Sequence, residues 1–213
     1  MLFLYHAGPS VCAIKVRLVL NEKRLPWEGK ILDLRSGDQF RPEYLKLNPN
    51  AVVPTLVHDG RTIIESTIII EYLDEVYPRP RLLPVAPLDR AYVRAFSQII
   101  ACEIHPLNNL RTRKYVSKTY RLDEEGVNTW YRHWIADGFQ MLESFLAQER
   151  KHGKYCFRDQ VTIADCCLVP QVFNAILYKC DLKPYPAVMR IHEACMKLDA
   201  FIAAQPSKQP DAA

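Results

Sequence analysis

The first apolar stretch, "LFLY" at 2–5, is short, ends at the polar turn "HAGPS" and predicts a strand. "VCAIKVRLVLNEKR" follows with Val16, Val19 and Leu20 on one face, predicting an amphipathic helix, and "WEGKILDL" at 27–34 predicts a second strand. A strand, a crossover helix and a strand imply a parallel pair. "PEYLKLN" predicts a short helix, and "VVPTLVHDGRTIIES" carries two β segments joined at the hairpin signal Asp59-Gly60, so the sheet turns antiparallel there. "STIIIEYLDEVY" closes this region as a helix with Ser66 as its expected N-cap. Prolines at 78, 80, 84 and 87 in "YPRPRLLPVAPLDR" bar a helix and mark a linker. Beyond it, apolar residues recur at three- and four-residue spacing through "DRAYVRAFSQIIACEIHPLNNLRTRKYV", "DEEGVNTWYRHWIADGFQMLESFLAQERK" and "VTIADCCLVPQVFNAILYKC", which predicts an all-helical half. Thr162 and Asp165 fit a capping box, and Pro106 is expected to kink its helix. Trp130, Trp134 and Phe139 fall on the apolar pattern and are expected in the core, whereas "AAQPSKQPDAA" has too little apolar surface to order itself.

The layout is therefore a small α/β domain at 1–78 with the order β-α-β-α-β-β-α, a proline-rich linker at 79–88 and a helical domain at 89–213. A chain of 213 residues with 49% hydrophobic content can fill a real core. The formal charge of +4 is mild and its Lys and Arg are dispersed, so nucleic acid is not an expected partner. No apolar run reaches the roughly 18 residues that span a bilayer, and "MLFLYHAGPS" lacks the pattern of a signal peptide. No membrane partner and a cytoplasmic location are expected. The seven cysteines are odd in number and include the adjacent Cys166 and Cys167, which suits reduced thiols better than a disulfide framework. With no CxxC and no Cys/His cluster at zinc spacing, no metal is expected.

Candidate chemistry gathers at the junction of the first strand and helix. Ser10 reads as a helix cap worth about 1 kcal/mol, or as a hydroxyl that holds a thiolate at a positive helix end. Cys12 reads as a small buried hydrophobe, or as a thiol made acidic by the first turn and by Lys15. Pro54 lacks a ladder donor and must sit at a strand start. Base rates favour a trans Val53-Pro54 bond; a cis bond would expose the Val53 backbone to an extended peptide.

Element order, Pro54 and the capping box together resemble the cytosolic glutathione transferases. "PSVCAIKVRLVL", "LNPNAVVPTLVHDG", "IESTIIIEYLDE", "IHPLNNLR", "VTIADCCLVPQVFNA" and "QPDAA" resemble the zeta class, which contains maleylacetoacetate and maleylpyruvate isomerases. The resemblance implies a thioredoxin-like N-terminal domain, an all-α C-terminal domain, a homodimer and glutathione as cofactor. It places glutathione on Ser10, Val11, Cys12, Lys15, Gln39, Val53, Pro54, Glu65, Ser66, His105 and Asn109, with Ser10 and Cys12 catalytic. A small electrophilic substrate would meet Asn109, Leu110 and Arg111, while Arg113 is either a second carboxylate clamp or a solvated side chain. In the isomerase form the thiolate adds to a conjugated cis double bond, rotation follows, and elimination returns glutathione.

Two departures stand out. Val11 replaces the second serine of the zeta motif, and Leu177 replaces the arginine with which the family holds a substrate carboxylate. The second favours a broader or different substrate than maleylacetoacetate. Two other readings are a reductive dehalogenase or thiol transferase working through a Cys12 mixed disulfide, and a non-catalytic glutathione-binding scaffold.

Overall fold

The computed structural model describes residues 1–212; Ala213, where the expected helical domain ends, lies outside the described residues. The described residues form two compact units, one of residues 1–83 together with 196–212, the other Pro84–Cys195. The expected helical domain ran through the C-terminal residues; instead these residues pack onto the first unit.

In the first unit, β1 (Leu2–His6), α1 (Val11–Glu22) and β2 (Trp27–Ile31) form the crossover, with β1 and β2 parallel. β2 is three residues shorter than the pattern suggests: the Leu32 N–H still reaches His6 O of β1 at 2.8 Å, but Asp33 then opens a turn by accepting the Arg35 N–H. After the short α2 (Pro42–Leu45), β3 (Thr55–His58) and β4 (Arg61–Ile64) pair antiparallel, giving the sheet order β2-β1-β3-β4. Helix α3 (Ser66–Val76) begins one residue earlier than a Ser66 cap would allow: Glu65 takes the cap position with φ 68° and Ser66 is the first helical residue. Helix α1 is buried on nearly every side, Lys15 and Arg17 included, so the expected amphipathic stripe understates its burial. Lys23 binds Asp74 at 2.7 Å, and Asp74 also accepts the Leu82 and Leu83 N–H groups, which fixes the start of the proline-rich stretch. Pro87 in that stretch opens the next helix, as a first-turn proline can.

The second unit is helical: α4 (Pro87–Gln98), a π-helical segment (Ile99–Ile104), α5 (His105–Asn108), α6 (Leu110–Tyr120), α7 (Glu124–Glu149), α8 (Ile163–Leu177) and α9 (Pro186–Cys195). Pro106 has no N–H to give, and the helix adjusts by widening before it and breaking after it, where Asn109 is extended at ψ 163°. The Thr162–Asp165 capping box forms as expected, and the buried Asp165 also accepts the Cys156 N–H at 2.8 Å. Phe139 is fully buried. Trp130 and Trp134, expected in the core, are only half-buried, and Trp130 Nε1 donates to Leu107 O at 2.8 Å.

In the first unit again, α10 (Asp199–Ala203) leads into "AAQPSKQPDAA", read as unable to order itself, where a 3₁₀ turn forms at Pro206–Lys208; its last residue, Ala213, lies outside the described residues. Phe201 and Ala204 are fully buried, and polar contacts complete the docking.

Candidate active site

Ser10 caps α1 as the sequence suggests. Its backbone is extended, with φ −70° and ψ 115°, and its Oγ accepts the Ala13 N–H at 3.3 Å. That bond uses a lone pair and leaves the hydroxyl proton to donate elsewhere. The Ser10 N–H is held by Ala7 O at 3.1 Å. Val11 is buried, and the half-buried Cys12 sits in the first turn of α1. One turn further, Lys15 is fully buried and its Nζ has no hydrogen-bond partner among the described residues. A buried ammonium without a partner is expensive, and an anionic group would offset that cost.

The sheet register gathers the other first-unit residues. Tyr5 pairs with Thr55 and Thr55 with Ile64, so one row of the sheet runs through β1, β3 and β4. Ser10 lies in the loop that follows this row on β1, Val53-Pro54 directly precedes it on β3, and Glu65-Ser66 directly follows it on β4. All three therefore sit at one end of the sheet. Val53 shares an apolar cluster with Ala7 and Tyr44, which ties its turn to the Ser10 loop. The Val53-Pro54 bond is cis. Tyr44 Oη and Asn48 Nδ2 both donate to Val52 O, and Asn48 Nδ2 also donates to Thr55 Oγ1 at 3.1 Å, bracing the same turn. Burial pushes the Tyr44 hydroxyl up from its ordinary pKa.

Glu65 is exposed at φ 68° and ψ 115°, outside the left-handed helical well; such backbone costs on the order of 1–3 kcal/mol and collects at ligand sites. Ser66 is 8% exposed at the start of α3, the helix that packs on α1. Gln39, which reads as surface in the sequence, is 4% exposed; its Nε2 donates to Leu34 O at 3.4 Å and its Oε1 has no partner among the described residues.

In the second unit, Asn109 is used as an N-cap: its Oδ1 accepts the Thr112 N–H at 2.9 Å, and its Nδ2 donates to Pro106 O at 3.1 Å. His105 is half-buried at the end of the π segment, and Leu110 and Arg111 are exposed. Arg113 is not simply solvated. Its Nη1 donates to Tyr178 Oη at 2.6 Å, and its guanidinium lies 5.1 Å and 5.0 Å from the ring centres of Tyr131 and Tyr178. Those rings stack at 3.8 Å, and Asn174 Nδ2 donates to Tyr131 Oη. The sequence reading missed Tyr131 and Tyr178, because two tyrosines far apart in the chain give no local signal. Leu110 and Arg113 also line a cavity of about 460 Å³ that carries Lys114 and Lys118 beside Asp123 and Glu124. Leu177 is 57% exposed.

Residues 4–81 match the glutathione S-transferase N-terminal domain. A maleylpyruvate isomerase of a Ralstonia species is 41% identical over 210 residues, covering 99% of either chain. The holo structure of a maleylpyruvate isomerase, a bacterial glutathione S-transferase in the zeta class, superimposes with a TM-score of 0.96 at 41% identity, over 99% of this chain and 100% of that one. The chain belongs to the zeta-class glutathione transferases. A maleylacetoacetate isomerase from Methylobacterium extorquens AM1, crystallised with malonate and glutathione, is similar over 99% of both chains, with a TM-score of 0.93 and 36% identity. The expected class, fold and enzymatic character follow from these similarities. Within this zeta-class chain, the end of the sheet that holds Ser10 and Glu65-Ser66 belongs to the matched transferase domain. The described residues contain no helix long and apolar enough to cross a membrane.

Proposed function

We propose that the protein is a glutathione-dependent cis–trans isomerase of a small maleyl-type keto acid. The observation that carries this reading is the meeting of Ser10, Val53-Pro54 and Glu65-Ser66 at one end of the sheet, with the Ser10 hydroxyl at the start of α1. Two orphaned buried groups fit the tripeptide: Lys15 Nζ suits an anion, and Gln39 Oε1 suits an N–H donor. Bound glutathione supplies a thiolate able to add to and leave a conjugated double bond.

The chain's own residues do the rest. Ser10 donates its hydroxyl proton toward the sulfur, where the N-terminus of α1 adds positive potential. Val53 offers its backbone to the middle of the peptide, as a strand would. Ser66 offers hydroxyl and amide donors at the start of α3 to the γ-glutamyl carboxylate, while exposed Glu65 faces the ammonium. In the second unit, Asn109 is already committed to its cap. Because Leu177 carries no charge, Arg111 is the cation assigned to the substrate carboxylate.

Turnover of maleylpyruvate, maleylacetoacetate, α-halo acids and chlorinated hydroquinones with glutathione tests the reading. Ser10→Ala is expected to lose about 10²-fold in kcat/KM on the maleyl acids, a loss typical of one removed donor to a developing charge. Cys12→Ala is expected to keep most of it. An inactive Cys12→Ala, with a glutathione adduct on Cys12 in the wild type, would replace this reading by mixed-disulfide chemistry. We also place the enzyme in the cytoplasm as a homodimer; the seven unbridged thiols suit a reducing compartment, and the exposed Ile68 and Val76 of α3 suit a second copy. Light scattering tests the dimer.

A further inference from the structure

The loop between β1 and α1 is gripped from a second direction. Arg17 is fully buried, and its Nε and Nη2 donate to Ala204 O at 3.1 Å and 2.9 Å. The same Nη2 donates to Gly8 O at 2.8 Å, while Nη1 reaches Ala7 O at 3.4 Å and His6 Nδ1 at 3.2 Å. From the far end of the chain, Asp211 Oδ2 accepts the Gly8 N–H at 2.7 Å. Both backbone polar groups of Gly8 are thus held, one by Asp211 and one by Arg17, two residues before Ser10. The fit is close: a Cβ at Gly8 would lie 2.5 Å from Asp211 Oδ1, an atom that is buried and has no partner among the described residues. Gln209 Nε2 donates to Ala203 O and Gln205 O at 3.0 Å and 3.1 Å, which shapes the turn that presents Asp211.

We propose that the segment from Asp199 to Asp211 braces the thiol-activating loop, and that Asp211 is a positioning residue that sets Ser10 through Gly8. The proposal rests on the role given to Ser10 above. A hydroxyl must be held to within about half an ångström to act on a developing charge. Ala7–Ser10 is a loop of four residues; among the described residues its one internal backbone bond is the Ser10 N–H on Ala7 O, and its Ser10 end is tied to α1 by the Ile14 N–H on Ser10 O at 2.8 Å, which leaves Gly8 to be held from outside. The carboxylate–amide bond from Asp211 is of the charge-assisted kind, stronger than a neutral one. The same contacts explain why a stretch rich in proline and polar residues is ordered: apolar burial is limited to Phe201 and Ala204, and buried polar pairing supplies the rest.

The test uses the full chain as Asp211→Ala, Asp211→Asn, Gly8→Ala and Ser10→Ala. Three readouts are taken: the pH titration of the thiolate absorbance of bound glutathione, amide hydrogen exchange at Ala7–Ser10 without glutathione, and thermal unfolding. Asp211→Ala is expected to speed exchange about tenfold, the size of one lost hydrogen bond. It is also expected to raise the thiolate pKa by roughly half a unit, which leaves about threefold less thiolate below it. Asp211→Asn keeps an oxygen for the Gly8 N–H and is expected to recover most of both. Gly8→Ala is expected to act in the same direction, without adding to Asp211→Ala.

A lower unfolding temperature in Asp211→Ala with unchanged exchange and unchanged titration would overturn the proposal, leaving a stability staple. Should Asp211→Ala fail to fold, Gly8→Ala and Asp211→Asn decide on the same readouts. If Ser10→Ala leaves the titration unmoved, the Ser10 reading itself fails. A shift in Asp211→Ala alone would then place the brace's effect on the helix terminus and overturn its action through Ser10.

Discussion

Arg111 and Arg113 show how little two residues of spacing say about what a cation does. Both lie on α6; Arg111 is exposed, whereas Arg113 lies against the Tyr131–Tyr178 stack with one donor on Tyr178 Oη. Its Nε has no partner among the described residues, so the rings and the phenol are its main compensation. Cation–π contact and one charged hydrogen bond together are worth about 1–3 kcal/mol at a half-buried site. Arg113→Ala should therefore lower the unfolding free energy by about that much, and Tyr178→Phe by roughly 1 kcal/mol, both read by chemical denaturation. Arg111→Ala should leave stability unchanged and raise KM for a maleyl acid about tenfold, the loss of one charge-assisted contact. The reverse pattern, with KM moved by Arg113→Ala and not by Arg111→Ala, would give Arg113 the carboxylate instead.

At the scale of elements, the π segment is the feature that most constrains the helical unit. Ile104 at its end is fully buried and packs onto Gly138 of α7; a Cβ there would lie 2.1 Å from Ile104 Cγ1 and 2.4 Å from Cδ1. Gly138→Ala should cost about 1–3 kcal/mol through overpacking. Ile104→Ala alone leaves a cavity and should cost about 2–5 kcal/mol, yet the double variant should cost clearly less than the sum of the two. Strict additivity in denaturant titrations would show that the two sites do not meet. Apolar spacing shows that 89–120 is helical, and Pro106 says where it is disturbed, but six residues of pattern cannot separate a 3.6-residue turn from a wider one. The same limit explains the other misses. Ser66 reads as a cap because the sequence does not reveal that Glu65 takes positive φ, and Gln39 reads as surface because its burial depends on packing remote in sequence. The parallel β1–β2 pair and the antiparallel β3–β4 hairpin were legible from the crossover helix and the Asp59-Gly60 turn, whereas the placing of β3 beside β1 was not, and Ser10, Val53-Pro54 and Glu65-Ser66 were grouped by the family resemblance and not by spacing. The brace was not legible either, because Arg17 and Asp211 are polar residues far apart in sequence, and polar pairs leave no periodic trace.

For the whole molecule, the two units answer acid differently. In the first, burial and the neighbouring Arg17 hold the His6 pKa down to about 4 from 6.5, against a smaller opposing pull from Asp211. The unfolded chain therefore binds a proton that the folded unit refuses between these values. The stability tied to neutral His6 is whole above pH 6.5 and is lost as pH falls toward 4, in all about 3 kcal/mol. In the second unit, burial also lowers His152 and His192, but it raises Asp165, which keeps its proton to a higher pH than the unfolded carboxyl. Asp165 thus gains protons on folding as pH falls and offsets part of the histidine loss. The first unit should unfold first on acidification. Trp27, edge-on to His6 at 5.7 Å, reports on the first unit, and Trp130 and Trp134 report on the second. Fluorescence of Trp27→Phe and of a Trp130→Phe, Trp134→Phe double variant separates them. The Trp27 signal should change at higher pH, and His6→Gln should shift that transition down while leaving the second unit's in place. Coincident transitions that ignore His6→Gln would mean that the two units unfold as one and that His6 does not set the acid limit.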